Sequence, residues 1–324
     1  MSNWWPTGGP AAARSREAMM RRARNYFVAQ GVLAVDTPAL SQYAVTDTNI
    51  ESLAVSSRNG RNYFLHTSPE FCMKRMLAAG YPDIYSICRV FRDGEMGHRH
   101  APEFTMVEWY RLGFELSQIV DDTTHFIATC LDLPALENSV VRFDFADVFQ
   151  EFAAIDVIDT SVDDLAKCCG ADERLRATIG TDKDTWLDLI LATVIAPQFV
   201  PDQLTVVQHY PASQAALARL CPVDPRFADR FEVFCGSIEL ANGYVELTDA
   251  GEQRRRMDND LKKRRDSGQT EPPWDRSLIA ALESSLPQCA GVAVGFERLQ
   301  MIFDGTDDIR DVVTFGNEHS NGKS

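Results

Sequence analysis

A globular chain that mixes helices with strands, around one large core or two modest ones, is the architecture this sequence predicts. Composition is the first reason: 324 residues, 45% of them hydrophobic and 24% charged, are enough to bury such a core. Strand signals are the second, because apolar and polar side chains alternate with a period of two around 88–92 and 104–110. Helix signals are the third. Met19, Ala23, Tyr26 or Phe27 and Gln30 recur at helical spacing, as do Leu116, Ile119, Val120, Thr123, Ile127 and Leu131.

In chain order, residues 1–13 hold two Trp, two Pro and a Gly pair, which predicts a flexible N-terminal arm ahead of the folded part at 14–324. A helix over 14–30 follows, with Gly31 placed to end it. GVLAVDTPAL reads as a strand that Pro38 puts at an edge or terminates. This helix and strand suit core packing or a dimer face. A short strand at Tyr63–His66 leads into TSPEFCMKRMLAAG, where Thr67 or Ser68 caps a helix with Pro69 at its first position. Glu70 then falls in the first turn, where the helix dipole favours an acid.

The chemistry concentrates in Cys88 to Arg111, two strands joined by a polar loop. Cys88, Val90 and Arg92 share a face, so Arg92 stands at the mouth of the loop. Phe104, Met106, Glu108 and Tyr110 share another, which alternation makes the covered side. A carboxylate buried there without a partner costs several kcal/mol, so a cation is expected to meet Glu108.

Further on, VVRFDF reads as a strand, Thr185 to Ala196 as a helix, and YPASQAAL at 210–217 as a loop entering a helix. In FEVFCGSIELANGYVELTDAGEQRRR, alternation puts Phe231, Val233, Cys235, Ser237 and Glu239 on one face before an Asn242-Gly243 turn, and Glu246 follows. Asp249 and Glu252 resemble a capping pair for a basic helix carrying Arg254, Arg255, Arg256, Lys262, Lys263, Arg264 and Arg265. That helix is either a solvated face or a docking site for an acidic partner. In GVAVGFERLQMIF, Gly291 and Gly295 let a ligand approach backbone, and Arg298 opens an apolar helix. A glycine-rich strand ending in such an arginine can hold polyphosphate.

Charge and cysteine usage exclude other classes. Lys and Arg number 32 against 47 Asp and Glu, a net charge of −15, which opposes non-specific nucleic-acid binding. Eight cysteines without a Cys-x-x-Cys pair, and six histidines without His-Glu-x-x-His spacing, predict reduced thiols and no zinc site. The start lacks an export signal, and the longest apolar run, Leu189 to Ala196, is too short to span a bilayer. A cytoplasmic protein without membrane contact is expected.

FRDGEMGHRHAPEFTMVEWY resembles motif 2 of the class II aminoacyl-tRNA synthetases, GVAVGFERL resembles motif 3, and the helix and strand at 14–38 resemble motif 1. SPE at 68–70, HAPEFTMVEWY and ELANGYVELTDAGEQ are similar to the lysyl branch. The likeness runs from about residue 14 to the C-terminus, without room for the N-terminal OB-fold that reads the anticodon. Together with YPASQAAL, this resembles the free-standing ligases that activate (R)-β-lysine as an adenylate and transfer it to a lysine of translation elongation factor P.

The resemblance implies an α+β class II catalytic domain, an antiparallel β-sheet flanked by helices, homodimeric through motif 1. It implies ATP and Mg²⁺ as cofactors. By the same resemblance Arg92 holds the α-phosphate and Arg298 the γ-phosphate of a bent ATP. Asp93, Gly94, Glu95, Ala101, Glu239, Leu240, Asn242 and Gly295 fall near ATP, with Glu239 and Asn242 beside the Mg²⁺. Ser68, Glu70, Glu108, Tyr110, Glu246 and Ala293 surround the amino acid, whose two amines neutralise the acids. Two departures stand out: the family's Arg-Asn-Glu-Glu is here Arg92, Asp93, Gly94 and Glu95, and the Asn of His-Asn-Pro-Glu is Ala101. A third is Ala293, where lysyl-tRNA synthetases typically carry Gly. A minimal enzyme charging tRNA is the second reading, opposed by the missing anticodon domain and the charge. An inactive synthetase-like regulator is the third, opposed by the retention of Arg92, Arg298 and Glu239.

Overall fold

The structure, a computed structural model, describes residues 5–58 and 60–316. Helix α1 (Pro10–Ala29) starts at Pro10, a residue preorganised for a first helical turn. It therefore takes in residues 10–13, expected in the arm, and just before it Thr7 and Gly8 donate their amides to Thr314 and Val313 carbonyls. The expected strand at 31–40 is reduced to β1 (Leu33–Ala34) and β2 (Leu40–Ser41), since Pro38 between them offers no ladder donor. With β3 (Ala54–Ser56) and β4 (Asn62–Leu65), β2 forms a small antiparallel sheet in the order β2-β4-β3.

Next come α2 (Glu70–Ala78), β5 (Ile84–Phe91), β6 (Glu103–Leu112) and α3 (Leu116–Leu131). A capping box between Glu115 and Gln118 opens α3. A mostly helical segment follows: β7 (Val141–Asp144), α4 (Phe145–Ala153), α5 (Val162–Cys168), α6 (Glu173–Ile179) and α7 (Lys183–Ile190), whose axis continues in irregular turns to Gln198. The chain ends with β8 (Leu204–Pro211), β9 (Phe227–Cys235), β10 (Ile238–Val245), α8 (Ala250–Asp266), α9 (Arg276–Ser285), β11 (Cys289–Gly295) and α10 (Phe296–Asp304).

Two local expectations are corrected. YPASQAAL leaves β8 through a single 3₁₀ turn at Ala212–Gln214 and enters no helix. Extended pairing captures it instead: Leu247 donates its amide to Leu217, and Ala218 bridges Glu246. Asn242-Gly243 is not a turn but the middle of β10, because the β9–β10 hairpin reverses at Gly236, whose φ is +52°. Gly243 answers close packing: a Cβ there would stand 2.7 Å from Gly291 O and 2.8 Å from Phe231.

The large sheet runs β1-β5-β6-β11-β10-β9-β8-β7, with β1 and β7 parallel to their neighbours and the inner pairs antiparallel. Strand β11 is thus inserted between two hairpins, β5–β6 and β9–β10. Alternation then sorts the side chains. Tyr85, Val107, Trp109, Val233, Val245, Val292 and Val294 join α1, α3 and α10 in the main core, with Phe27, Phe126 and Leu299 among its helical members. Glu108 and Tyr110 lie on the opposite face and are buried as expected, at 3% and 2% exposed. Tyr110 packs there with Met73, Leu77, Met257 and Leu278 of α2, α8 and α9, so helices cover both faces of β6. Among the described residues, no helix is long and apolar enough to cross a membrane.

Candidate active site

The second sheet face floors a cleft of about 1010 Å³. Register explains its contents. Glu108 on β6 pairs with Ala293 on β11, Ala293 with Asn242 on β10, and Asn242 with Glu232 on β9. One step along, Tyr110 pairs with Gly291, Gly291 with Tyr244, and Tyr244 with Arg230. Directly paired residues share a face, so these eight form two adjacent rows. The β9–β10 register slips between Glu239 and Ala241. That bulge brings Glu239, three residues from Asn242 and hence of opposite parity, onto the cleft face.

One end of the cleft is an acid cluster. Glu108 and Glu246 are 3% and 2% exposed. Ser68 and Tyr110 hydroxyls donate to Glu108 at 2.7 Å each, and Tyr244 donates to Glu70 at 2.7 Å. No side-chain cation among the described residues pairs with Glu108; Lys74, which sequence reasoning missed, serves Glu70 and Glu246 instead. Its Nζ stands 2.5 Å from Glu70 Oε1 and 2.5 Å from Glu246 Oε2. Burial, then the Glu70 charge, push the Glu108 carboxyl up to about 7. Burial also raises Glu246 against the pull of Lys74. For Lys74 burial acts downward, yet Glu246 and Glu70 outweigh it and hold the ammonium charged. Three carboxylates and one ammonium leave two formal negative charges when all ionise. A dication fits that balance. Close above them, a Cβ at Gly291 would lie 2.5 Å from Tyr110 and 2.6 Å from Glu246 Oε1, so only glycine leaves these side chains where they are.

The other end is basic. Arg298, just past Gly295, donates from Nη1 to Glu239 O at 2.9 Å and Oε2 at 3.2 Å, and from Nη2 to His100 Nε2 at 2.8 Å. Burial, then Arg298, lower the His100 pKa, which keeps it a neutral acceptor. Arg92 meets Glu95 at 3.4 Å and lies over the Phe104 ring, but its buried Nε has no hydrogen-bond partner. Arg99 adds a third guanidinium, bound to Ser237 O at 2.9 Å. An orphaned buried guanidinium N–H suits an anion's oxygen.

Between the ends sits a network that sequence reasoning also missed. Arg230 donates to Glu232 at 2.7 Å, Asn242 Nδ2 donates to the same oxygen at 3.1 Å, and Arg230 reaches Gln214 O at 2.7 Å. Burial, then Glu239, raise Glu232 to about 7. The signal was available: Arg230 and Glu232 flank Phe231 on the opposite strand face. Lys74, four residues from Glu70 on one helix, was equally legible.

Ser68, Glu70, Arg92, Glu95, Ala101, Glu108, Tyr110, Glu239, Leu240, Asn242, Glu246, Ala293, Gly295 and Arg298 all line this cleft. Asp93 and Gly94 do not. Asp93 accepts the Gly94 amide at 2.9 Å and donates its own amide to Glu51 O at 2.8 Å, and Gly94 turns at φ +76°, so the loop folds on itself there. Ala101 packs against Met301, Ile309 and Val312.

The basic helix α8 is corrected in detail. Arg264 is 1% exposed and holds the carbonyls of Thr46, Asp47 and Ile50 and the Glu51 carboxylate at 2.6–3.0 Å. It is a clamp on the 46–51 loop, not part of a surface patch. Arg254, Arg255, Arg256 and Arg265 are paired with Glu283, Glu252, Glu252 and Glu271. Lys262 and Lys263 line the cleft mouth, exposed, without an ion pair among the described residues.

Comparison with known proteins gives the family. The family profile for tRNA synthetases class II (D, K and N) matches residues 10–319. The elongation factor P (R)-beta-lysine ligase of Mannheimia succiniciproducens is 38% identical over 318 residues, 97% of each chain. Its namesakes from Haemophilus ducreyi and an Enterobacter species are 37% and 38% identical over 330 and 320 residues, covering 98% and 97% of this chain and 97% of each relative. On fold, motifs and full-length similarity together, the chain belongs to the class II tRNA synthetases of the D, K and N type.

Proposed function

We propose that this chain is an ATP-dependent ligase that activates (R)-β-lysine as an adenylate and transfers it to a lysine side chain of elongation factor P. The observation that carries the reading is the cleft's polarity: an acid cluster at one end of β11 that reaches two charges in excess when fully ionised, arginines at the other. Full-length similarity to ligases bearing that name supports it.

In this reading the substrate's two ammonium groups meet Glu70, Glu108 and Glu246, with Ser68, Tyr110 and Tyr244 orienting the carboxylates. Its carboxylate then faces Arg92, which holds the α-phosphate, while Arg298 holds the γ-phosphate. A carboxylate oxygen bonds to the α-phosphorus as pyrophosphate leaves. No protein nucleophile is needed, because positioning and stabilisation of charge carry the step. The acceptor amine next bonds to the acyl carbon and AMP leaves.

The family uses ATP with magnesium. The donors at the nucleotide end fit that ion, since Glu239, Asn242 and neighbouring Glu232 offer oxygen. These residues would hold it, and the bound ion would neutralise triphosphate charge. Arg230 and Asn242, both on Glu232 Oε1, keep that carboxylate in place.

We take the enzyme to be cytoplasmic and homodimeric through α1 and β1, where Val28 and Leu33 are exposed apolar side chains. Its net charge of −15 argues against tRNA as acceptor. The test is ATP–pyrophosphate exchange with (R)-β-lysine and α-lysine, followed by the intact mass of elongation factor P. Exchange favouring (R)-β-lysine and a gain of one β-lysyl mass are expected. Exchange with neither amino acid, or charging of tRNA in place of the factor, overturns the reading.

A further inference from the structure

Outside the cleft lining, His209, Cys221 and Asp229 meet near the end of the β8–β9 ladder where Pro211 pairs with Phe227. Their spacing in sequence matches no metal motif, which is why sequence reasoning gave no zinc site. The fold brings them together with some effort. The β8–β9 register slips between Gln208 and Tyr210, and His209 is held at φ +56°. A non-glycine residue takes that conformation only where its surroundings over-determine it, and a bulge is a means of re-aiming a side chain out of the ladder.

The ring is already oriented as a metal-bound histidine would be. His209 Nδ1 lies 2.8 Å from Asp144 Oδ1. An ionised carboxylate only accepts, so Nδ1 carries the proton, and in the neutral ring Nε2 keeps a lone pair. Nε2 faces Asp229 Oδ1 at 3.8 Å, too far for a hydrogen bond. Asp229 is 3% exposed, and its other oxygen accepts from Arg219 at 2.7 Å. Cys221 completes the trio: one ligand atom from each residue lies within 4.8 Å of the others.

We propose that His209 Nε2, the Cys221 thiolate and an Asp229 oxygen bind a zinc-class transition-metal ion, with Asp144 and Arg219 orienting the first and last of these ligands. Nitrogen, sulfur and oxygen donors suit zinc at bonds of about 2.0–2.3 Å, so two such bonds span up to about 4 Å. At a tetrahedral angle such bonds set donors about 3.3–3.8 Å apart, so the 3.8 Å between Nε2 and Oδ1 and the trio's span of up to 4.8 Å close by up to about 1 Å on binding. Magnesium and calcium, which take oxygen ligands, do not suit a thiolate and an imidazole. Three protein ligands leave a fourth position for water. Carboxylate–histidine–metal and guanidinium–carboxylate–metal chains are the outer-shell arrangement such sites use. The ion ties β8, the 218–221 segment and β9 into one unit, next to Gln214 and Arg230 of the cleft wall.

The test uses the full chain, stripped with chelator and titrated with cobalt(II) as an optical probe. One equivalent should develop thiolate-to-cobalt charge-transfer absorption, zinc should displace it, and zinc should raise Tm. Cys221→Ser should lose the absorption and the Tm shift. Should that variant not fold, His209→Gln serves, with weakened cobalt binding expected. Asp144→Asn should keep the absorption but weaken cobalt affinity by about 10–100-fold. Absence of a one-equivalent thiolate band in the wild type, or its persistence in Cys221→Ser, overturns the site, leaving His209 as a hydrogen-bond partner of Asp144 alone. Unchanged affinity in Asp144→Asn overturns the orienting role.

Discussion

Replacing Lys74 with methionine removes one ammonium and keeps a flexible unbranched stem in its place. In the native cluster the Lys74 side chain is 2% exposed, with Nζ 2.5 Å from both Glu70 and Glu246. Removing one partner of such a buried pair costs about 3–5 kcal/mol, because the remaining charge is left without compensation. Protons can substitute for the lost cation, and they do so in a definite direction with pH. Burial already holds Glu108 at about 7 and raises Glu246 above the ordinary 4.5; without Lys74 the rise is larger. A carboxyl whose folded pKa exceeds its unfolded value binds a proton on folding, so its contribution is lost as pH climbs from the unfolded value through the folded one. The variant therefore approaches the wild type near about pH 5 and falls about 3–5 kcal/mol below it near about pH 8. Urea unfolding with linear extrapolation at both pH values measures the difference. A loss below about 1 kcal/mol at the higher pH, or the same loss at both, would refute the charge count on which the substrate assignment rests.

Arg298→Ala should lower pyrophosphate exchange by at least about 100-fold, the scale of losing one preorganised charge stabiliser, with circular dichroism unchanged; near-normal exchange in a folded variant contradicts the phosphate role. Ala293→Gly removes a methyl between Glu108 and Asn242 in the cross-strand row. It should raise activation of α-lysine relative to (R)-β-lysine by about 10–100-fold, since one methyl is worth about 1–3 kcal/mol of discrimination. An unchanged ratio of efficiencies means that Ala293 only stiffens β11. Lys262→Glu with Lys263→Glu should slow transfer to elongation factor P in a salt-dependent way while sparing adenylation; transfer indifferent to both charge and salt makes the pair a solvated face. Arg255 and Arg265 are unsuitable for that test, being already neutralised by Glu252 and Glu271.

The parts of the site that alternation can reach were legible. Glu108 and Tyr110 were placed on one face because they are two apart in a regular strand, and the register with β11 keeps them there. Glu239 and Asn242 were not derivable that way. Only the bulge at Leu240 reconciles their parity, and bulges leave little trace in a single sequence. The Asn242-Gly243 error has the same root: the pair is a strong hairpin signal locally, but contact with Phe231 and Gly291 decided the glycine. Arg264 was read with its basic neighbours because charge runs are usually solvated. Its partners are backbone carbonyls more than 200 residues earlier, which no local pattern encodes.

What makes the cleft is the strand with the least side chain. Residues 291, 293 and 295 present glycine, alanine and glycine to the cleft, between strands that present Tyr110 and Glu108 on one side and Tyr244 and Asn242 on the other. Bulky residues there would fill the groove, and a single Cβ at Gly291 already closes to 2.5 Å on Tyr110. Glycine in a strand interior ordinarily weakens it, through chain entropy and lost packing. Here the weakness is offset from behind, where Ala290, Val292 and Val294 are buried against the helical layer, and from both sides by full antiparallel ladders. The alternation that hides valines on one face therefore leaves small residues on the other, and a narrow floor between Glu108 and Tyr110 on one wall and Asn242 and Tyr244 on the other follows from it. This is also why motif 3 has to be central: at a sheet edge the same glycines would lack a second ladder to hold them straight.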